Sequence, residues 1–313
     1  MNALATSLML TSSLLTGTEW DTAQVRDLYC LARNLKLHPR RYRTALSGRC
    51  IALVFEKPSL RARVTFEAGI ASLGGSSTFL DYTAHHLGER ESIADAAISL
   101  ESRAHCVVAR VFAQETLHEL AGHVSFPVIN ALSDKFHPCQ ALSDFFTLEE
   151  HFGDVRGLKF AYVGDGNNVC HSLISTAARL GAHIRVATPA KYAPDPAVVG
   201  EANLVAQKAG ATIEILRSPE EVVGGAQAVY TDVWVSIGHE AETADRLTAF
   251  PGYQINEALF SLAAPDAVFL HCLPARRGSE VTDDVIDSPR SLVFDQAENR
   301  LHVQKAILLT LLG

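Results

Sequence analysis

The chain of 313 residues is longer than one average domain, and its hydrophobic content of 48% is enough for two packed cores. Its formal net charge of −8 and its pI near 5.9 argue against a nucleic-acid or anionic-membrane partner, because either would repel the chain unless basic residues were segregated. The sequence has no such basic patch, and no stretch of it approaches the ~20 apolar residues of a membrane span.

The cysteine usage indicates a reducing compartment. Six cysteines occur without a CxxC pair, and Cys50 and Cys106 lie inside apolar runs. Reduced thiols that pack as small hydrophobic side chains have this distribution, so we expect a cytoplasmic protein. The stretch from Met1 to Leu15 is apolar but has no positively charged start and no convincing cleavage site, so we expect a short arm rather than a signal peptide.

The first half of the chain alternates predicted helices and strands. An amphipathic pattern at 18–35 predicts a helix, and the uncharged residues 50–55 predict a buried parallel strand. Further along we expect strands at 77–80, 106–110 and 124–130 and helices at 92–101 and 114–122, followed by a long helix that ends near His151. Such alternation is typical of a parallel sheet covered by helices.

A candidate anion site follows the strand at 50–55. Ser59 stands at the N-cap position of a predicted helix, whose first backbone N–H groups lack intrahelical acceptors. Arg61 and Arg63 add two cations to the positive end of the helix dipole, so this turn describes a site for an anion, most naturally a phosphate. The alternative is a capped helix whose arginines face water. The spacing predicts one apolar face for this helix, formed by Val64, Ala68 and Ala71.

A second alternation of strands and helices follows a polar, glycine-bearing break at 153–157. It predicts strands at 159–163, 183–187, 212–216, 228–231, 267–271 and 292–294, and helices at 168–180 and 196–208. We therefore expect an α/β protein with two doubly wound domains, each a parallel sheet flanked by helices. The first domain comprises residues 1–136, and the second comprises residues 137–297 with a linking helix at 137–151. A final amphipathic helix at 298–313 is expected to pack back on the first domain.

The unusual polar residues fall at the carboxyl ends of the predicted strands. They are the segment 56–63, Arg110, His137, Gln140, the segments 164–168 and 232–238, and His271 with Cys272. Open parallel sheets bind their ligands at this edge, so two such sheets that face each other would form one active-site cleft. Chance placement of so many polar clusters on the same edge is a poorer explanation than function.

The common sequence motifs for a dinucleotide, for zinc and for a nucleophilic serine are incomplete or absent. Gly164-Asp-Gly-Asn-Asn-Val169 lacks the third glycine of a dinucleotide fingerprint, and no acid follows ~20 residues later. The His and Cys pairs at 137/139, 170/171 and 271/272 match no usual zinc spacing, and no GxSxG nucleophile motif occurs. We therefore expect neither a cofactor nor a bound metal.

The remaining polar residues suggest group transfer between two bound small molecules. A site rich in Arg and His for an anion is joined by an acid, an amide, a hydroxyl and a thiol, namely Asp232, Asn168, Ser236 and Cys272. Such a set can hold a phosphorylated substrate on one wall and a zwitterionic substrate on the other.

Eight motifs occur in a recognisable order. They are 55–63 (Phe-Glu-Lys-Pro-Ser-Leu-Arg-Ala-Arg), His86-Leu-Gly with Glu91-Ser92, Arg110 in Ala-Arg-Val, His137-Pro-Cys-Gln140, Gly164-Asp-Gly-Asn-Asn168, Asp232-Val-Trp-Val-Ser236-Ile-Gly238, His271-Cys-Leu-Pro274 and Glu298-Asn-Arg300. In order and spacing they closely resemble the ornithine branch of the aspartate/ornithine carbamoyltransferase family. The resemblance covers nearly everything from Leu14 onward.

The resemblance implies that the carbamoyl group of carbamoyl phosphate is transferred to the δ-amine of L-ornithine, which gives L-citrulline and phosphate in arginine biosynthesis. It implies a homotrimer or a multiple of trimers, with carbamoyl phosphate bound by the first domain and ornithine by the second. The implied carbamoyl phosphate ligands are Ser59, Leu60, Arg61, Ala62, Arg63, Arg110, His137, Gln140, Cys272, Leu273, Arg300 and, from the adjacent protomer, His86. The implied ornithine ligands are Asn168, Asp232, Ser236 and Ile237. Catalytic roles are implied for Arg110, His137, Asp232 and Cys272.

Three positions depart from the family pattern. Ala62 stands where a threonine is usual, Ile237 where a methionine is usual, and Arg276 where a histidine or tyrosine is more common. Two alternatives therefore stay open: a carbamoyltransferase for another amine, such as acylated ornithine, putrescine or aspartate, and a catalytically weak relative that only binds these ligands. The aspartate version is disfavoured by the segments 232–238 and 271–274, which resemble the ornithine branch.

Overall fold

The computed structural model describes residues 13–238 and 240–313, so most of the predicted N-terminal arm lies outside the described residues. The strands are β1 (Cys50–Phe55), β2 (Ser76–Asp81), β3 (Cys106–Arg110), β4 (Val128–Leu132), β5 (Lys159–Val163), β6 (His183–Ala187), β7 (Ile213–Leu216), β8 (Ala228–Thr231) and β9 (Val268–His271). The helices are α1 (Thr22–Leu37), α2 (Leu60–Ser72), α3 (Ile93–Glu101), α4 (Gln114–Gly122), α5 (Pro138–Phe152), α6 (Asn168–Leu180), α7 (Pro196–Ala209), α8 (Pro219–Val223), α9 (Thr243–Ala249), α10 (Glu257–Phe260), α11 (Asp283–Ile286) and α12 (Val293–Leu312).

The strands form two parallel sheets, which confirms the predicted α/β class with two doubly wound domains. The first sheet has the order β2-β1-β3-β4, and the second has the order β7-β6-β5-β8-β9. Each sheet starts at an inner strand, winds outward to one side and then reverses. The reversals lie between β1 and β3 and between β5 and β8, and the crevices beside such reversals are where sheets of this kind bind ligands.

Two long helices join the sheets into one body. The side chains of residues 138–148 of α5 are all buried, and α12 packs against α1, α2, α5 and β9. As a result, one continuous hydrophobic core runs from Leu53 of the first sheet through Phe145 of α5 to Tyr162 of the second. The described end of the predicted arm belongs to this core as well, because Leu14 is fully buried and bridges to Ile129.

Local hydrogen bonds decide where several elements begin. The side chain of Asp21 accepts the N–H of Gln24, whose own side chain accepts the N–H of Asp21, so α1 begins at Thr22 rather than at 18 as predicted. Similarly, β4 begins at Val128 and not at 124, because Pro127 has no N–H to offer a strand ladder.

The predicted strand at 292–294 is wrong. The N–H of Leu292 donates to the carbonyl of Phe269, and its carbonyl then accepts the N–H of Gln296, which starts the helical pattern of α12. Pairing in this region is a bridge between Ser291 and Phe269. The apolar triplet at 292–294 therefore opens a helix.

The apolar face predicted for α2 is also wrong. Its buried residues are Ala62, Phe66, Gly69 and Ile70. Phe66 and Ile70 are larger than the alanines of the predicted face and enter the core, while Gly69 lets α12 approach closely. Val64 is 52% exposed and lies with Leu60, which is 80% exposed, on the outer surface. Across residues 13–238 and 240–313, no helix has both the length and the apolar character needed to cross a membrane.

Candidate active site

A cavity of about 390 Å³ opens where the carboxyl ends of the two sheets face each other. The first sheet contributes the β1–α2 loop, the end of β3 and the end of β4 with the segment after it, and the start of α5 adds Gln140. The second contributes the turn before α6 and the segments after β8 and β9, and α12 adds one side chain from below. The cavity therefore joins both reversal points of the fold, as the sequence pattern predicts.

Most of the predicted site residues line this cavity. They are Ser59, Leu60, Arg61, Arg110, His137, Gln140, Asn168, Asp232, Ser236, Ile237, Cys272, Leu273 and Arg300. Residues far apart in sequence are thus brought to one place, while their roles in binding and catalysis stay predictions. Arg276, which departs from the family pattern, lies at the same cavity.

The structure does not bring three predicted residues to the cavity. The Ala62 side chain is fully buried on the inner face of α2, and the Ala62 backbone N–H donates to Ser59 Oγ at 3.3 Å. Arg63 points to the opposite side of α2, since residues two apart on a helix face different directions. Its Nε donates to Glu67 Oε1 at 2.9 Å, and its guanidinium lies 3.8 Å from the centre of the Phe79 ring.

His86, the third of these residues, lies beside the cavity. Its ring is 52% exposed, with Nδ1 3.8 Å from Glu56 Oε2, and it packs edge-on against Phe112. The Glu56 carboxylate is buried and accepts the backbone N–H groups of Leu87 and Phe112. Glu56 therefore ties the segment that carries His86 to the end of β3.

One wall of the cavity carries buried positive charge. Arg110 and Arg300 are only 8% and 7% exposed, and the Nε atoms of both have no hydrogen-bond partner within the described ranges. Burial, and then repulsion from Arg300 and Arg61, lowers the pKa of Arg110 to about 10. Burial also lowers the pKa of Arg300. Clustered cations of this kind are unfavourable in an empty site and favour an anion in it.

The same wall holds a neutral histidine and a helix N-terminus. Burial, assisted by Arg300 and Arg110, lowers the pKa of His137 well below 6.5, so its imidazole is uncharged at neutral pH and can donate one N–H. Ser59 caps α2, whose first N–H groups, including those of Leu60, lack intrahelical acceptors. Donors of both kinds suit an anion with several oxygen atoms.

The opposite wall is built around a carboxylate. Asp232 Oδ1 accepts the Cys272 thiol at 3.0 Å and the N–H of Val233 at 2.8 Å, while Oδ2 accepts Asn167 Nδ2 at 2.8 Å. Burial, and then Asp232, raises the pKa of Cys272 well above its ordinary value, so the thiol stays protonated and remains a donor. Asn168 donates to the carbonyl of Ser133. Its carbonyl group therefore remains available to a ligand.

Sequence reasoning missed several residues of the cavity, among them Asn167 and Lys57. The resemblance points to Asn168 and not to its neighbour Asn167, although an Asn at a helix start is a standard N-cap. Asn167 caps α6, because its side-chain oxygen accepts the N–H groups of Val169 and Cys170. Lys57 also lines the cavity; its ammonium lies 4.5 Å from the centre of the Phe112 ring, and burial, followed by Arg110, lowers its pKa. In the sequence, the position of Lys57 two residues before Ser59 of the predicted anion site indicates that it belongs to the same site.

His271, Cys272 and Asp232 come close enough for their ligand atoms to lie within 4.8 Å of one another. Both ring nitrogens of His271 are engaged, however. Nδ1 accepts the N–H of Leu273 at 2.8 Å, and Nε2 lies 3.3 Å from Glu280 Oε1. The imidazole therefore holds the segment after β9 in place.

Comparison with known proteins gives a consistent result. A family model described as the aspartate/ornithine carbamoyltransferase carbamoyl-P binding domain matches residues 12–150, and the Asp/Orn binding domain of the same family matches residues 156–311. The chain is 46% identical over 315 residues to an ornithine carbamoyltransferase of Anoxybacillus flavithermus, with all of both chains covered. It is 48% identical over 307 residues to that of Thermus thermophilus, with 98% of each covered.

Solved structures agree with these matches. An ornithine carbamoyltransferase from Pyrococcus furiosus superposes with a TM-score of 0.93 at 44% identity, covering 96% of this chain and 97% of that one. The structure from Thermus thermophilus gives a TM-score of 0.88 at 46% identity, covering 97% of this chain and all of that one.

Proposed function

This chain belongs to the aspartate/ornithine carbamoyltransferase family, and from that premise we infer that it transfers the carbamoyl group of carbamoyl phosphate to the δ-amine of L-ornithine. The products are L-citrulline and phosphate. The observation that carries the inference is the single cavity in which a cationic wall faces the carboxylate of Asp232. Two relatives that match over 98% or more of this chain are named for this activity. A third, which matches 86% of the chain, is named as the anabolic enzyme and supports a role in arginine biosynthesis.

Carbamoyl phosphate lies against the cationic wall in this proposal. Its phosphate binds to the N-terminus of α2 and to Arg61, and its carbonyl oxygen accepts hydrogen bonds from Arg110 and His137. Three further groups complete the proposed site, namely Gln140, Leu273 and Arg300. The burial of Arg110 supports this arrangement, because donors held in a dry site stabilise developing negative charge more strongly than they would in water.

Ornithine lies against the opposite wall, with Asn168, Ser236 and Ile237 around its amino-acid end. Its side-chain amine has an ordinary pKa near 10.4, so at neutral pH it arrives protonated and must lose a proton before it can attack. We assign that step to Asp232, which is hydrogen-bonded to Cys272. Two walls that hold two substrates in contact also supply the advantage of proximity.

The reaction then follows from the placement of these groups. The free amine attacks the carbonyl carbon, a C–N bond forms, and the oxygen gains negative charge beside Arg110 and His137. When the tetrahedral intermediate collapses, the C–O bond to phosphate breaks. The phosphate leaves beside Arg61 and Arg300, and it takes one of the two protons that the attacking nitrogen loses overall.

We further propose a cytoplasmic homotrimer, with residues 1–136 as the carbamoyl phosphate domain and 137–297 as the ornithine domain. The exposed apolar side chains of Leu60 and Val64 on α2 support a subunit contact at that surface. His86 lies at the surface beside the cavity, where it can serve the site of the adjacent protomer. The acidity of the chain favours small-molecule partners over nucleic acid and membrane.

The test uses purified protein, labelled carbamoyl phosphate and a panel of amines that contains ornithine, acetylornithine, putrescine and aspartate. Labelled citrulline is expected from ornithine. Arg61→Ala should lower kcat/KM by about 10²-fold or more, and Arg63→Ala, two residues along the same helix but outside the cavity, should lower it far less. If the label appeared instead in the product of another amine, that amine and not ornithine would be the substrate. If the protein bound these ligands but formed no product, it would be a ligand-binding relative without the activity.

A further inference from the structure

Gln140 presents an unusual buried group to the cavity. Its side chain is 1% exposed, and its Nε2 donates to Asp144 Oδ1 at 2.7 Å along α5. Gln140 lines the cavity, and its buried Oε1 has no hydrogen-bond partner in the part of the chain that the structure describes. A buried acceptor without a partner is costly, so this oxygen is expected to receive a donor from a ligand.

Hydrogen bonds on the side away from the cavity fix the orientation of the Gln140 side-chain amide. A side-chain amide has a donor end and an acceptor end related by a half-turn, so its neighbours decide which end faces the ligand. The backbone N–H of His271 can only donate, and it donates to Gln296 Oε1 at 3.0 Å. The NH₂ group of Gln296 therefore points away from β9, and it donates to Asp144 Oδ1 at 2.6 Å.

Asp144 completes the chain of hydrogen bonds. It is fully buried, and one oxygen accepts both the Gln296 and the Gln140 NH₂ groups. Burial raises the pKa of Asp144 to about 7, against the hydrogen bonds of Gln296, Gln140 and Tyr230 and the charge of Arg300, which all lower it. An oxygen that accepts two N–H groups leaves any acidic proton on the other oxygen, so the direction of the chain is the same above and below that pKa.

We propose that Asp144 is a positioning residue that holds Gln140 with its carbonyl oxygen toward the ligand, so that the site selects acyl phosphates that carry an N–H group over isosteres that lack one. This inference rests on the proposed function, since the N–H group in question is that of the carbamoyl moiety. If Gln140 were turned around, its NH₂ would face the ligand NH₂, and the preference would be lost.

The experiment compares two stable phosphonates of equal charge and nearly equal size. Phosphonoacetamide carries an NH₂ group beside its carbonyl, and acetonylphosphonate carries a methyl group there. We expect the wild-type protein to bind phosphonoacetamide about 5- to 150-fold more tightly by calorimetry, the range that one unpaired buried acceptor produces. Binding of inorganic phosphate is measured alongside as a ligand that has neither group.

The variants separate positioning from general damage. Asp144→Leu should reduce the ratio of the two affinities to within about threefold while it leaves phosphate binding within about threefold of wild type. Asp144→Asn should keep most of the ratio, because its amide oxygen can accept the same two NH₂ groups. Ser143→Ala is the matched control: that buried hydroxyl is on the same helix and donates to the carbonyl of Cys139.

Each outcome decides the matter. An unchanged ratio in a folded Asp144→Leu protein would overturn the proposal, as would an equal loss of all three ligands in that variant. If Asp144→Leu fails to fold, Gln140→Met and Asp144→Asn provide the test. The ratio of the two phosphonate affinities should be lost in Gln140→Met and kept in Asp144→Asn. A ratio that is kept in Gln140→Met would overturn the proposal. A wild-type protein with the expected ratio but no citrulline formation would contradict the proposed function and leave the assignment of Asp144 standing.

Discussion

Replacing Arg110 with methionine should make the unliganded protein more stable and the enzyme nearly inactive. Methionine preserves much of the side-chain length and fills the same buried space without a charge. The pKa of Arg110 falls from its ordinary value to about 10, because burial and the nearby Arg300 and Arg61 disfavour its charged form. At ~1.4 kcal/mol for each pKa unit, holding this charge in the folded state costs about 3 kcal/mol at neutral pH.

The expected gain follows from that cost. Since the folded pKa lies below the unfolded one, the unfavourable contribution is complete below about pH 10 and disappears as the pH rises from there to the ordinary pKa of arginine. A neutral side chain removes it, and some of the gain is lost to imperfect packing, which leaves about 1–3 kcal/mol. That corresponds to a rise of about 1–5 °C in Tm at pH 7.

Differential scanning calorimetry without ligand, followed by the same scan with inorganic phosphate, tests this reasoning. Phosphate should raise the Tm of wild type more than that of Arg110→Met, whose kcat/KM should fall by about 10²- to 10³-fold. Arg246→Met is the control of opposite sign, because Arg246 is 4% exposed and donates to Asp165 at 2.6 Å. Its loss should destabilise the protein by about 3–5 kcal/mol. A lower Tm for unliganded Arg110→Met would refute the argument that the empty site stores charge repulsion.

Other substitutions probe the second wall, the histidine and the turn before α6. Cys272→Ala removes a 3.0 Å donor from Asp232 and should lower kcat/KM for ornithine by about tenfold or more, whereas Cys272→Ser should keep most of the activity; equal losses in steady-state assays would contradict a donor role. Because burial lowers the pKa of His137 well below 6.5, the unfolded chain binds a proton near pH 6.5 that the folded chain rejects, so stability falls as pH drops below that value. His137→Asn should flatten this fall in urea titrations at pH 5 and 7.5, and an unchanged pH dependence would argue against a buried neutral ring. Gly166→Ala places a Cβ against neighbouring backbone and should lower the urea midpoint, while Gly200→Ala, open on α7, should raise it slightly; a tolerated Gly166→Ala would show that this turn can shift.

Much of the fold could be predicted because local signals and tertiary packing agree. The residues of β3, α4, β5, α6 and β6 are predicted to the residue, since apolar runs and cap residues mark the same boundaries that the sheet uses. The strand predicted at 292–294 fails because the sequence does not show that Phe269 meets Leu292 and turns the chain into α12. An apolar triplet alone fits a short strand or a helix start.

The site was predictable as a set of motifs but not in its orientation. Arg61 and Arg63 look equivalent in the sequence, and only the packing of Phe66 and Ile70 determines which way α2 is rotated. That rotation sends Arg61 into the cavity and Arg63 onto Phe79. The support behind Gln140 is equally hidden in the sequence, because Asp144, its partner on the same helix, is in turn bonded by Gln296 of α12, which is oriented by His271 of β9.

The position of α12 has a consequence for how the protein is made. Residues 303 and 306–308 belong to the core that also contains Leu28 of α1 and Phe66 of α2. These residues leave the ribosome after the strands of both sheets, so the apolar helices of the N-terminal half stay uncovered on a nascent chain throughout synthesis of the second half. Termination of synthesis between β9 and α12 would therefore leave α1, α2, α5 and β9 without the helix that packs against them, and their apolar surface would be exposed to chaperones and proteases.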